Sequence, residues 1–121
     1  MKPIIIKRIY EKPSESDGYR LLVDRIWPRG ISKEKAKLHE WNKDIAPSTE
    51  LRKWFNHQEE RFDAFVGRYK EELSDKKAEL SRIKKICENQ QVCLLYGAKN
   101  EKYNQAVVLK EIIQKLKTPS S

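Results

Sequence analysis

The apolar residues of the chain fall into two kinds of run. Ile4-Ile5-Ile6, Leu21-Leu22-Val23 and Val92-Cys93-Leu94-Leu95-Tyr96 are short, unbroken and bounded by proline, glycine or polar loops, as buried strands are. The first reads as a strand over 4–10, between Pro3 and the loop from Lys12 to Gly18. The second follows over 19–26 and is ended by Pro28 and Gly30, which presents its polar exit residues on a turn. Val92 to Tyr96 has no polar alternation and therefore predicts a central strand covered on both faces. Leu38 to Ile45 fits neither period cleanly and is read as a further strand.

Elsewhere the apolar positions recur at helical spacing. Phe62, Phe65, Val66, Tyr69 and Leu73 form one stripe, and Leu80, Ile83, Ile86 and Cys87 continue it beyond Ser74-Asp75, as one long helix or two with a break there. Val108, Leu109, Ile112, Ile113 and Leu116 predict a closing helix, followed by a frayed tail from Thr118 to Ser121. Ser32 is an N-cap candidate for a short helix over 33–37, and Ser48 for one running through Trp54. The order of elements predicts an α/β fold with a small mixed or partly parallel sheet of about four strands packed by helices. A hairpin between the first two strands would make that sheet mixed.

A length of 121 residues suits a single domain spanning the whole chain. The formal charge of +8 favours anionic partners, although lysines alternate with glutamates as on ordinary solvated helix faces. Cys87 and Cys93 lack metal or redox spacing and read as buried thiols. The N-terminal apolar run is too short for a signal peptide and no stretch approaches a membrane span, so the expected location is the cytoplasm, without membrane contact. There is no glycine-rich phosphate loop, dinucleotide fingerprint, nucleophile elbow or zinc-binding helix motif, and His39, His57 and the two cysteines do not make a zinc set. No metal or cofactor is expected.

Ligands of open α/β sheets bind beyond the carboxyl ends of the strands. Two polar segments leave strands here, one carrying Asp24, Arg25, Trp27 and Arg29, the other Tyr96, Lys99, Asn100, Tyr103 and Asn104. If the two strands are parallel neighbours, both segments line one mouth. Arg25 and Arg29 flank Pro28 on a rigid turn and are candidates for a bidentate clamp on phosphate or carboxylate. Alternatively, Asp24 pairs with one arginine while the other covers a helix C-terminus. Trp27 could stack on a base or sugar, though an aromatic beside proline at a strand end is more often core. Tyr96 and Tyr103 could act as acids or hydroxyl donors near Lys99, whose cation would lower a phenol's pKa, with satisfied surface tyrosines as the ordinary alternative. His57, at a helix junction, is the obvious general acid/base candidate, with capping or packing as its ordinary alternative.

The strings Asp17-Gly18-Tyr19-Arg20, Val23-Asp24-Arg25-Ile26-Trp27-Pro28-Arg29-Gly30, Ala46-Pro47-Ser48-Thr49-Glu50-Leu51-Arg52 and Leu94-Leu95-Tyr96-Gly97-Ala98-Lys99 make the chain resemble the YeaO-like family, domain of unknown function 488. The resemblance implies a small bacterial cytoplasmic α/β protein without an assigned activity. That family often has histidine beside the asparagine after the last strand. Here Lys102-Tyr103-Asn104-Gln105-Ala106 keeps only the asparagine, which weakens any histidine- or metal-based role for the loop. The leading expectation is a pocket for a small anionic ligand, with Arg25 and Arg29 as clamp, Asp24 orienting them, and Trp27, Lys99 and Asn104 contributing. Any catalysis would use His57 or Tyr96. The alternative is a nucleic-acid-binding module built on a basic helix face with Lys84, Lys85, Lys110 and Lys115. A third is an interaction protein or dimer with an exposed apolar patch.

Overall fold

The computed structural model describes residues 1–116, so the expected frayed tail lies outside the described residues. Four strands, β1 (Ile4–Arg8), β2 (Tyr19–Leu22), β3 (Glu40–Trp41) and β4 (Val92–Tyr96), form one sheet in the order β1-β4-β2-β3. Every pairing is parallel, with Leu94 of β4 opposite Ile6 of β1 on one side and Leu21 of β2 on the other. All five residues of β4 are buried. Its unrelieved apolar run has to be covered on both faces, and the centre of a parallel sheet supplies that cover. Because β4 separates β1 from β2, the hairpin between them does not form.

The connection from β1 to β2 crosses the sheet in ten residues and is fastened by polar contacts. Ser14 and Asp17 cap a single 3-10 turn over Glu15–Asp17. Asp17, 3% exposed, accepts from Lys7 Nζ at 3.1 Å and from Arg20 Nη1 at 2.6 Å. Burial raises the Asp17 pKa, but hydrogen bonds from the Ser14 N–H, Lys7 and Arg20 outweigh it and hold the carboxyl below its ordinary value. Gly18, at φ 77°, then brings the chain so close to Gln91 that an added Cβ would lie 2.3 Å from the Gln91 carbonyl oxygen.

The second and third strands are shorter than their apolar runs predict. The backbone leaves β2 after Leu22, with the Val23 N–H still held by Leu95 O at 3.0 Å, and turns away at Asp24. Around β3, Asn42 Oδ1 accepts from Ile45 N at 3.2 Å, and this bend confines the strand to two residues.

Among the described residues five α-helices complete the fold: α1 (Lys33–Ala36), α2 (Thr49–Phe55), α3 (Phe62–Leu73), α4 (Lys77–Asn89) and α5 (Gln105–Lys115). Ser32, Ser48 and Asn104 cap α1, α2 and α5 by accepting from the N–H groups of Lys35, Leu51 and Val107. The apolar stripe from Phe62 to Cys87 is two helices, with the break at residues 74–76.

The two faces of the sheet bury different sets. Leu21, Val23, Val92, Leu94 and Tyr96 point into a large core shared with α2, α3, α4 and α5. Leu22, Cys93 and Leu95 point into a smaller one with Ile9, Ala36, Trp27, Ile31, Leu38 and Trp41. Truncating Leu94 or Leu95 to alanine would cost about 2–5 kcal/mol, the usual range for emptying such a site. Both cysteines are buried free thiols, and burial pushes the Cys93 thiol up to about 11. Among the described residues no helix is long and apolar enough to cross a membrane.

Candidate functional site

Because β2 and β4 are parallel neighbours, the segments leaving their carboxyl ends emerge side by side. Between them lies a cleft of about 500 Å³, closed on its other sides by Pro47, Arg52, Phe55 and His57. Asp24, Arg25, Trp27, Arg29, Asn104 and His57 all line it. Lys99 and Tyr96 do not.

Asp24 ties the mouth together. Its Oδ2 accepts from Gly97 N at 2.9 Å, its Oδ1 from Gln105 Nε2, and its carbonyl from Trp41 Nε1 at 2.7 Å. The expectation that Asp24 orients the two arginines is therefore corrected: its oxygens face the exit of β4 and the start of α5. Burial pushes the Asp24 carboxyl up to about 6, against the lowering effects of the Gly97 and Gln105 hydrogen bonds and the Arg52 charge. At Gly97 an added Cβ would sit 2.8 Å from Asp24 Oδ2, so a side chain there would push the carboxylate from its place.

Three arginines reach the cleft and, among the described residues, none of them forms an ion pair. Arg25 donates from Nε to Pro47 O at 2.8 Å and from Nη2 to Ala46 O at 3.1 Å. That fixes its guanidinium while leaving Nη1 without an acceptor among the described residues. Arg29 is exposed on the turn, whose backbone is steadied by Tyr10 Oη donating to Arg29 O at 2.6 Å. Arg52, exposed on α2, comes from an element far away in sequence. The N-terminus of α5 opens at the same mouth and adds its partial positive charge.

His57 is exposed and stands at φ 54°, directly after Asn56 at φ 45°. Two successive left-handed residues swing the chain from α2 toward α3 and set the imidazole at the rim, its ring 6.4 Å from that of Phe55. Of the remaining sequence candidates, Trp27, Asn104 and Tyr96 have structural roles. Trp27 spends its indole N–H on Ile31 O at 2.7 Å and packs edge-on against Trp41, so it serves mainly the smaller core. Asn104 is 1% exposed, caps α5 through Oδ1 and donates from Nδ2 to Asn100 O at 2.9 Å. Tyr96 lies in the large core, and burial raises its pKa; Lys99 has no part in that shift and is itself exposed. The expected activation of a phenol by Lys99 is not realised, because the strand directs Tyr96 inward while Lys99 stands beyond the turn.

The basic helix face is partly spent internally. Lys84 donates to Leu116 O across the α4/α5 contact, and Lys115 pairs with Glu111 at 2.8 Å. Among the described residues no cluster of histidine, cysteine and carboxylate side chains could hold a metal ion.

Arg52, Gln105 and Tyr10 were not singled out as site residues by the sequence. Arg52 and Tyr10 reach the cleft only through tertiary packing, and Gln105 follows directly on Asn104 at the start of α5.

Known proteins similar to this chain cover nearly its full length. YeaO of Escherichia coli is 46% identical over 110 residues, 91% of this chain and 96% of YeaO. Proteins of Mycobacterium tuberculosis and Mycobacterium bovis are each 43% identical over 108 residues, 89% of this chain and 91% of theirs. All three are named as uncharacterized proteins. No solved structure matches significantly. The family model described as "Inactive DUF488-N3 subclade" matches residues 3–120. With a family match over almost every residue and a close relative in YeaO, the chain belongs to the YeaO-like DUF488 family, within the subclade of that description.

Proposed function

We propose that the protein binds a small anionic ligand, bearing phosphate or carboxylate, in the cleft beyond β2 and β4. One observation carries this reading: Arg25, Arg29 and Arg52 line a cleft whose one carboxylate, Asp24, is already held by Gly97 and Gln105. Among the described residues no anion within ion-pair distance neutralises the three guanidinium groups, and a planar fork on a partly fixed arginine suits an oxyanion. Binding without turnover suits the family description. If protons are moved here, His57 is placed to move them. A cytoplasmic location belongs to the same reading, because two buried free thiols suit a reducing compartment. A nucleic-acid module on α4 and α5 finds less support, with Lys84 and Lys115 already engaged.

Arg29→Ala and Arg52→Ala are the decisive variants, since both side chains are exposed and hold no backbone group. Arg25→Ala is a poorer probe, because it also releases the carbonyls of Ala46 and Pro47. A ligand at a hundred times its Kd stabilises the fold by about 2.7 kcal/mol. Thermal shift with inorganic phosphate, pyrophosphate and citrate should show such stabilisation in the wild type and a smaller one in each variant. An unchanged melting temperature with every anion tested overturns the reading.

A further inference from the structure

Large apolar side chains exposed on the described surface are few: Met1, Tyr10, Ile26 and Tyr103. Three of these four, Tyr10, Ile26 and Tyr103, line the arginine cleft. Isolated exposed apolar residues are ordinary, but their convergence on one concave cationic site calls for an occupant. The cleft therefore has two chemistries, guanidinium groups and a largely aromatic rim.

Both tyrosine rings are held in place. Tyr10 has the Arg8 guanidinium 5.0 Å from its centroid and its hydroxyl on Arg29 O. Tyr103 stands edge-on against Phe62, centroids 5.0 Å apart, and its N–H is fixed by Asn100 Oδ1 at 3.0 Å. A ring already ordered gives up little freedom when a flat group stacks on it, so its exposed surface is available for recognition. The cleft's 500 Å³ falls within the range of about 300–1,000 Å³ typical of small-molecule sites, and an inorganic phosphate would leave most of it empty.

We propose that the ligand is a nucleoside phosphate, its phosphate against Arg29 and Arg52 and its base against the rim formed by Tyr103 and Tyr10. The proposal rests on the anion-binding reading above and adds the aromatic half of the ligand. Tyr10 Oη donates to the Arg29 backbone carbonyl, so the aromatic rim is tied to the turn that carries Arg29.

Isothermal titration of the full chain with the four common nucleoside monophosphates, ribose phosphate, inorganic phosphate and adenosine separates the two readings. At least one nucleotide should bind about tenfold or more tighter than ribose phosphate, the scale of one base stacked on an aromatic side chain. Tyr103→Ala should bring that nucleotide down to the level of ribose phosphate while leaving ribose phosphate itself unmoved, and Tyr103→Phe should retain the preference. Nucleotides no tighter than ribose phosphate would overturn the base recognition and leave the anion site standing. Adenosine binding as tightly as its monophosphate would remove the role of the arginines. No binding by any phosphate compound would overturn both.

Discussion

Asp24 is the residue at which the tension between fold and site can be measured. Its carboxyl sits at about 6 because burial disfavours its charge, so the folded state holds the proton more tightly than the unfolded chain does. Between the unfolded value of 3.8 and about 6 the native state therefore binds more protons, and this group's contribution to stability falls as pH rises through that window. Above it the ionised carboxylate costs on the order of 2–3 kcal/mol. Asp24→Asn keeps an acceptor for Gly97 N–H, and a flipped Gln105 amide meets the new donor at the loss of only the long 3.3 Å bond to Val23 O. The variant should be more stable than wild type at pH 7, with the difference shrinking toward pH 4, as urea unfolding at both pH values would read. An advantage that does not change with pH would contradict this account. His57 offers a second measurement, because its left-handed backbone is strained for a residue with a Cβ. His57→Gly should raise the urea midpoint, by up to about 1 kcal/mol of stability, while removing the imidazole from the cleft rim.

At the scale of elements, the ends matter more than the middles. Asn104 reads in sequence as a ligand contact and acts as the cap of α5, filled on both sides by backbone partners. Asn104→Ala should lower stability by about 1–2 kcal/mol, whereas Asn104→Asp or Asn104→Ser should recover much of it, measured by chemical denaturation. Equal losses in all three variants would mean that capping is not its role. The serine caps of α1 and α2 were legible because a cap acts over three residues of chain, within reach of local reading. The short β3 was not, since its length depends on where Asn42 closes a bend onto Ile45. Arg25 shows the same division: its position on a rigid turn is local, but its acceptors, Ala46 and Pro47, belong to the connection that leads into α2.

At the scale of the whole molecule, strand order dictates cooperativity. Among the described residues β4 is the only strand that pairs with β1, and it lies between β1 and β2, yet it is the last strand in sequence. A fragment of residues 1–89 would therefore leave β1 without a partner and the large core without α5. Far-ultraviolet circular dichroism should show no cooperative thermal transition for it, in contrast to the full chain. A sharp transition in the fragment would show that the sheet can assemble without its centre.

What the sequence determined by itself is the set of elements: buried runs that must be strands, stripes that must be helices, serines that start them, and a turn whose proline and glycine put arginines at a strand exit. These follow from interactions within a few residues, which the order of side chains states directly. Tertiary structure alone decided the strand order, and with it which exits meet. Placing β2 beside β4 is what brings Asp24 to Gly97 and Gln105, 73 and 81 residues away along the chain, and what gathers Tyr10, Arg52 and Tyr103 around one cleft. Contacts across such separations are set by the packing of the whole core, so no local pattern encodes them.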